Sequence, residues 1–478
     1  MPERRNIGAL ACKGDSCRKP IGFSFFICCK PIMTRLEYPR LVVSDPEGKI
    51  CDHPFLKLSG RSGSRFLLPH PSDLIPLPAG SQLFTLPGRI PVGWDEEREA
   101  FASAERMKMG EEEMDCTAVA AFLPPGYIRT LLPATQRVSE APILPLWAYS
   151  AVGWKEGRFW ATGYLIDPNP HWNPRYFQND RLLKKNVDTF LKKNPRNRLL
   201  RQLAMCALEY HCFAGKNVFS RRWECPLPTS PACNADCLGC LSLQSSEGCP
   251  ASHERLHFVP TLEEVIDVAL PHLQEAEDAI VSFGQGCEGE PLVQWRLLEN
   301  AILKLREKTD RGTINLNTNG SFPKRVGRLC EAGLDSLRVT LNSSHSEYYT
   351  RYHRPKGYTF SQVLDSLILA KEKGIHTSIN LLIFPGFSDS EREVEELRRL
   401  IERTRVDLIQ MRNLNIDPDL YQESMGGGQG IGISRMIDIL KKEFPSLQFG
   451  YFNRTKEAFH KLRILNCGTQ NPFQNLNS

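Results

Sequence analysis

An α/β fold is predicted: an incomplete parallel barrel of about six strand–helix units behind a β-rich N-terminal domain and a helical linker. Three observations predict it. From Asp278 onward, short apolar strands alternate with helices of ten or more residues, the signature of parallel βα units. Before Asp167, short apolar runs are separated by Gly, Pro and Ser clusters. Between the two lies a Lys- and Arg-rich stretch with helical periodicity.

The 478 residues leave room for two or three domains, and 41% hydrophobic content supports a sizeable core. A formal charge of +5 is too small to argue for nucleic acid by itself. No run of eighteen apolar residues is present, so no membrane span is expected. Sixteen cysteines, unevenly spread through a large chain, do not resemble a disulfide scaffold; a reducing, cytoplasmic setting is expected.

Taken in order, residues 1–32 carry Cys12, Cys17, Cys28 and Cys29 without a period, and read as a disordered or non-native extension ahead of a start at Met33. Residues 33–175 form the β-rich accessory domain, with strands such as Arg40–Ser44 and Ala118–Phe122 and a hairpin around Val152–Gly157. Residues 176–215 are the basic helical linker: eight Lys or Arg residues between Arg181 and Arg201 surround Leu183, Val187 and Phe190. A solvated face at a domain junction is the preferred reading of that charge, and attraction to phosphates the competing one. The barrel follows over 216–455, then a C-terminal tail over 456–478.

Within the barrel, strands are expected at Asp278–Phe283, Thr313–Asn317, Ser336–Leu341, His376–Phe384 and Val406–Met411, with a further strand before Cys233 and a last one at Leu447–Phe452. Helices are expected at Leu292–Asp310, Pro323–Ala332, Phe360–Lys373, Asp389–Thr404 and Arg435–Glu443. In such folds chemistry gathers on loops after the carboxyl ends of strands. Those loops carry Gly284–Leu292, Thr318-Asn-Gly320, Asn342-Ser-Ser344, Pro385-Gly386 and Arg412–Asn415.

The chemical centre is Cys233-Asn-Ala-Asp-Cys237-Leu-Gly-Cys240, a C-x3-C-x2-C run within eight residues. Three thiolates on one loop can hold three irons of a four-iron cluster and leave the fourth open. A closed tetrahedral zinc is the competing reading, with Cys249 or Cys225 as fourth ligand, in a structural module with a nucleic-acid-binding role. After Cys240 only Cys249, Cys287, Cys330 and Cys467 remain, too scattered to suggest a second cluster.

The cysteine loop, the Gly289-Glu-Pro-Leu292 segment and the later polar strand ends resemble the radical S-adenosylmethionine enzymes over roughly residues 220–455. The resemblance implies a [4Fe-4S] cluster on Cys233, Cys237 and Cys240, whose open iron is chelated by S-adenosylmethionine. It implies reductive cleavage to a 5′-deoxyadenosyl radical that abstracts hydrogen from substrate. Gly289 and Glu290 would bind the amino end of the cofactor; Thr318 and Asn342 would meet its ribose or carboxylate. Arg354 is a carboxylate partner by charge alone. An external low-potential electron donor, flavodoxin- or ferredoxin-like, is also implied. The substrate stays open between a small molecule and a peptide or RNA. The chain departs from the family pattern twice. Leu238 stands where an aromatic residue is frequent, and the second loop is longer than Gly-Gly-Glu-Pro, so Glu288 competes with Glu290.

Overall fold

The computed structural model describes residues 37–109, 111–244 and 249–459. The expected extension over 1–32, the start at Met33, Cys467 and most of the expected tail lie outside the described residues.

Residues 40–165 fold into antiparallel sheet, the largest unit having eleven strands. Their alternating apolar positions make the core: Val42, Val43, Ala120 and Ala161 are all buried. The expected hairpin is present as Val152–Lys155 paired with Arg158–Leu165. Its two turn residues, Glu156 and Gly157, both take positive φ (51° and 75°), as a tight turn matched to the strand twist demands.

Three helices follow: α1 (Asp180–Lys193), α2 (Arg198–Leu208) and α3 (Phe213–Ser220). Each of α1 and α2 starts at an Asn cap, Asn179 and Asn197, whose side chain accepts from a first-turn amide. The segment expected as a linker is packed onto the barrel: Leu183, Val187, Leu199 and Leu203 join the same apolar core as the barrel strands. The lysines of α1 point to solvent.

The barrel sheet has seven parallel strands in chain order: β1 (Arg222–Pro226), β2 (Glu277–Phe283), β3 (Thr313–Thr318), β4 (Ser336–Leu341), β5 (His376–Ile383), β6 (Leu408–Asn413) and β7 (Gln448–Gly450). Crossovers run through α4 (Leu262–Glu275), α5 (Trp295–Arg306), α6 (Pro323–Ala332), α7 (Ser346–His353), α8 (Phe360–Glu372), α9 (Glu391–Thr404), α10 (Pro418–Met425) and α11 (Ile433–Glu443). Six βα units are thus followed by a short seventh strand, and β1 and β7 are the free edges of an incomplete barrel. The last strand is only three residues, shorter than the apolar run Leu447–Phe452 suggested.

Strand alternation has an unusual sense here. Ile314, Leu316, Leu337, Val339, Ile379, Leu381, Ile409 and Met411 pack outward under the helices. The intervening positions, which include Asn315, Asn317, Arg338, Thr340, Ser378, Asn380, Gln410 and Arg412, therefore face the barrel interior. The interior is polar. Its amino-terminal end is closed by the chain after β7: Asn453 Nδ2 donates to Glu224 at 2.7 Å, and the Lys456 amide donates to Thr313 Oγ1 at 2.7 Å.

The β-rich domain sits against the carboxyl ends of β5 and β6. The Arg129 guanidinium, fully buried, donates to the Leu414 and Ile383 carbonyls at 2.8 and 3.4 Å, and burial pushes its pKa down to about 9. Asn413 side-chain oxygen accepts from the Arg129 amide at 2.8 Å. Beside it, Arg89 bridges Asp417 at 2.7 Å and Asp419 at 2.8 Å, and Arg61 reaches Asp419 at 2.9 Å. No helix among the described residues is long and apolar enough to cross a membrane.

Breaking a buried ion pair from one side leaves an uncompensated charge, costing about 3–5 kcal/mol. Arg89→Met should lower the unfolding free energy by about that amount in urea melts, and Asp417→Asn added to it should recover part of the loss. Burial opposes ionisation of Asp419, yet Arg61 and then Arg89 hold its carboxyl below the ordinary value. Its stabilising contribution is therefore fully present above the ordinary carboxylate value and lost as pH falls below that value and through the depressed folded one. Asp419→Asn should flatten that acid slope; an unchanged slope would show that the interface does not depend on this charge.

Candidate functional site

The site begins where the chain leaves β1. Glu288, on the loop after β2, is buried and its carboxylate collects five donors. The Thr229 and Ser230 amides reach Oε2 at 2.7 and 2.9 Å, and the Thr229 hydroxyl at 3.1 Å. The Gly284 and Gln285 amides reach Oε1 at 2.6 and 3.3 Å. One side chain thereby ties the end of β1 to the end of β2 and has no acceptor position left. Next to it, the Gly289 amide donates to Ser230 O at 2.7 Å and the Glu290 amide to Ala232 O at 2.9 Å. A Cβ on Gly289 would lie 2.1 Å from the Ala232 carbonyl oxygen, so no other residue permits this approach.

Cys233 begins one residue later. The cysteine loop is strapped to α7 and the turn after it: the Asp236 amide donates to His353 O at 3.0 Å, Leu238 to Tyr352 O at 2.9 Å, and Lys356 to Asn234 O at 2.8 Å. Arg255 donates to Cys240 Sγ at 3.3 Å and to Ser242 Oγ at 3.1 Å. Cys237 Sγ lies 3.3 Å from His353 Nδ1. Burial pushes the Cys233 thiol up to about 11, and nearby Glu290 adds to it. Cys237 is pushed up by burial first, then by the negative charge of Cys240 and Cys233. Cys233 and Cys237 therefore need cationic compensation to exist as thiolates.

Their sulfurs are not drawn together as a preformed tetrahedral zinc site would have them. A tetrahedral zinc with Zn–S near 2.3 Å draws its sulfurs to about 4 Å from one another. Among the described residues, the group of three with donor atoms within 4.8 Å of one another is His171, Glu277 and Asp278, and not the cysteine loop. The proposed fourth zinc ligands are engaged elsewhere. Cys249 Sγ donates to the Pro250 carbonyl at 3.5 Å, with Leu146 and Asp417 as its other neighbours. Cys225 is fully buried in the core on β1.

Glu290 stands above the end of β3. Its Oε1 accepts from Thr318 Oγ1 at 2.5 Å and the Leu292 amide at 2.9 Å; Oε2 accepts from the Asn319 amide at 2.8 Å. Oε2 retains one lone pair. Burial pushes this carboxyl up to about 7 despite these donors. Asn342, after β4, is fully buried; its amide nitrogen reaches Tyr348 O and Tyr421 OH at 3.4 Å, while Oδ1 has no partner. Gly289, Glu290 and Thr318 are thus joined directly, and Asn342 lies at the neighbouring strand end. Arg354 stands apart: it is the exposed left-handed cap of α7, beside the cysteine loop.

Sequence reading passed over Arg255, Tyr352 and His353. Arg255 follows Cys240 by fifteen residues with no spacing rule to flag it, and the other two ride on α7, a short helix without strong periodicity. Tyr352 is buried against the loop, and packs in the same apolar cluster as Leu238. It supplies an aromatic wall that Leu238 does not.

Replacing Cys233, Cys237 or Cys240 with Ala should each strip iron from anaerobically reconstituted protein, whereas Cys249→Ala should hold the wild-type iron content. Iron per chain, by colorimetric assay, decides it. Metal loss on Cys249→Ala would point back to a closed four-thiolate site.

Residues 227–401 match the family model for the Radical SAM superfamily. The chain is 27% identical to GTP 3′,8-cyclase of Aquifex aeolicus over 157 residues, covering 33% of this chain and 47% of that protein. It is 31% identical to GTP 3′,8-cyclase of Corynebacterium glutamicum over 166 residues, covering 33% and 40%. To FeMo cofactor biosynthesis protein NifB of Klebsiella pneumoniae it is 26% identical over 180 residues, covering 34% and 38%. The chain spans about half the length of these relatives or less. Among solved structures, SuiB of Streptococcus suis bound to precursor peptide SuiA aligns with TM-score 0.36 and 14% identity, over 53% of each chain. Methylornithine synthase (PylB) aligns with TM-score 0.36 and 14% identity, over 57% of this chain and 77% of that one. The barrel of this protein carries a domain of the radical SAM superfamily.

Proposed function

We propose that the protein reductively cleaves S-adenosylmethionine and directs the resulting 5′-deoxyadenosyl radical at a substrate inside the barrel. Radical SAM domains work with a [4Fe-4S] cluster and S-adenosylmethionine. When bound, that cluster supplies the electron that splits the sulfonium into methionine and the radical. The observation that carries the reading is the direct coupling of a loop with three half-buried thiols to the Glu290 loop through Gly289 and Ala232.

The residues present fit both groups. Cys233, Cys237 and Cys240 offer three thiolates, and Arg255 and His353 contact the sulfurs of Cys240 and Cys237. Hydrogen bonds and positive charge at cluster sulfurs tune the potential. Of the two competing acids, Glu288 has every acceptor position filled and acts as a brace. Glu290 keeps one lone pair and receives the amino group, with Gly289 giving it backbone access. Asn342 Oδ1 and Ser344 Oγ, both buried without partners, await polar groups of the cofactor. Thr318 orients Glu290, and Arg354 at the rim is a secondary contact for a carboxylate. An external low-potential protein, flavodoxin- or ferredoxin-like, would deliver the electron.

Anaerobic protein given dithionite and S-adenosylmethionine should release 5′-deoxyadenosine. Glu290→Gln should keep its iron and bind the cofactor at least tenfold more weakly by equilibrium dialysis. Absence of 5′-deoxyadenosine from iron-replete wild type would sink the reading.

A further inference from the structure

The barrel interior holds two arginines with no carboxylate partner. Arg338 projects inward from β4 and is 7% exposed. Its NH1 donates to Gln410 Oε1 at 2.8 Å, and its Nε has no partner. Arg412 projects from β6, on the same face as Gln410 and two residues further along. Its guanidinium stacks on the Tyr451 ring, 4.1 Å from the centroid, and its Nε is likewise buried and unpartnered. Neither takes part in an ion pair among the described residues. The interior acid facing them, Glu224, hydrogen-bonds neither: its Oε1 accepts from Ser282, Gln285 and Asn453 at 2.7, 2.8 and 2.7 Å, and its charge reaches Arg338 only at longer range.

An unpaired guanidinium in a low-dielectric interior is costly, and two within range of each other are costlier. Burial, and then the charge of Arg412, lower the pKa of Arg338 to about 9. Around them Asn380 Oδ1 also lacks a partner, while its Nδ2 reaches Thr340 Oγ1 at 3.1 Å. A folded structure keeps such groups where a ligand supplies the missing charge. Guanidinium forks match oxyanions geometrically.

We propose that Arg338 and Arg412 form the binding site for an oxyanion of the substrate, a carboxylate or a phosphate, on the interior face of β4 and β6. The assignment deepens the proposed function and rests on it in taking the interior as the substrate chamber. Depth separates Arg338 from the strand-end residues, whereas Arg412 stands level with Asn342 in the strand register and reaches inward from there. Arg338 lies four residues before Asn342 along β4, roughly 13 Å at strand rise, and its NH1 bond to Gln410 anchors it at that level. The polar floor of Glu224, Ser282, Asn315 and Asn453 closes the chamber below it. The substrate's anion would dock there, leaving its uncharged part directed up toward the strand ends, where hydrogen abstraction takes place.

The test is calorimetric titration of the anaerobic, full-length protein in anion-poor buffer, with sodium phosphate and sodium acetate in separate arms. One saturable site for at least one anion is expected. Arg338→Gln and Arg412→Gln should each weaken it at least tenfold, and Arg412→Lys less than Arg412→Gln. Lys184→Gln, on the exposed face of α1, should not change it. Thermal melts accompany each variant; should Arg338→Gln unfold, the half-buried Arg412 pair carries the decision. Binding should persist under saturating S-adenosylmethionine. Absence of a saturable site for either anion, binding indifferent to Arg412→Gln, or displacement by S-adenosylmethionine would each overturn the assignment. Cofactor binding is titrated separately in wild type, so its failure sinks the proposed function without altering the anion isotherm.

Discussion

The structure depends on a buried carboxylate that holds two loops together. Glu288 is surrounded by protein, which favours its neutral form and pushes its pKa up to about 7. The backbone amides of Thr229, Ser230 and Gly284 oppose that push, because each donates to an oxygen that must be an acceptor. Without the carboxylate those amides would be buried donors without partners, each costing about 1–3 kcal/mol. The chain therefore has one low-energy arrangement: the strand leading to the cysteines lies against the loop leading to Glu290. Everything at the site follows from that register, including the contact of Gly289 with Ala232 that no larger residue could make.

A second constraint is the reversal of polarity across the barrel sheet. A barrel of this size filled by Val, Ile and Leu would be a solid core. Here apolar residues point outward to the helices and polar residues inward, so the folding energy comes from the outer layer. The interior is then released for binding. The floor network of Glu224, Ser282, Asn315, Gln410 and Asn453 satisfies its own hydrogen bonds, whereas Arg338, Arg412 and Asn380 keep unpartnered atoms. This contrast between a satisfied floor and unpartnered atoms above it is the basis of the anion site proposed for Arg338 and Arg412.

The β-rich domain contributes through its dock on the barrel mouth. Arg129 caps the carbonyls of Ile383 and Leu414 beyond two strand ends, and Arg61 and Arg89 neutralise Asp417 and Asp419 at the start of α10. Those acids lie on a strand-end loop of the kind that carries chemistry in barrels. Buried ion pairs of this type require close geometry, so they fix the position of the domain as much as its stability. The domain thereby covers the ends of β5 and β6 on one side of the mouth.

By itself the sequence determined what local rules can determine. Strand and helix alternation and apolar positions recurring at two or 3.6 residues set the elements of the barrel, and helix α6 and strand β4 fall where periodicity places them. The three cysteines were legible because thiols within eight residues of one loop are close enough to share one centre. Tertiary structure alone decided the rest. Glu288 and Glu290 are chemically identical and two residues apart; only the count of donors around each, five against three, tells them apart. Arg255 and His353 reach the cysteine sulfurs from positions with no sequence relation to them. Arg338 and Arg412 read as ordinary charged residues in strands, since local sequence cannot say that their partners are missing. Pairing between distant residues depends on how elements close in space, and that closure is a property of the whole fold.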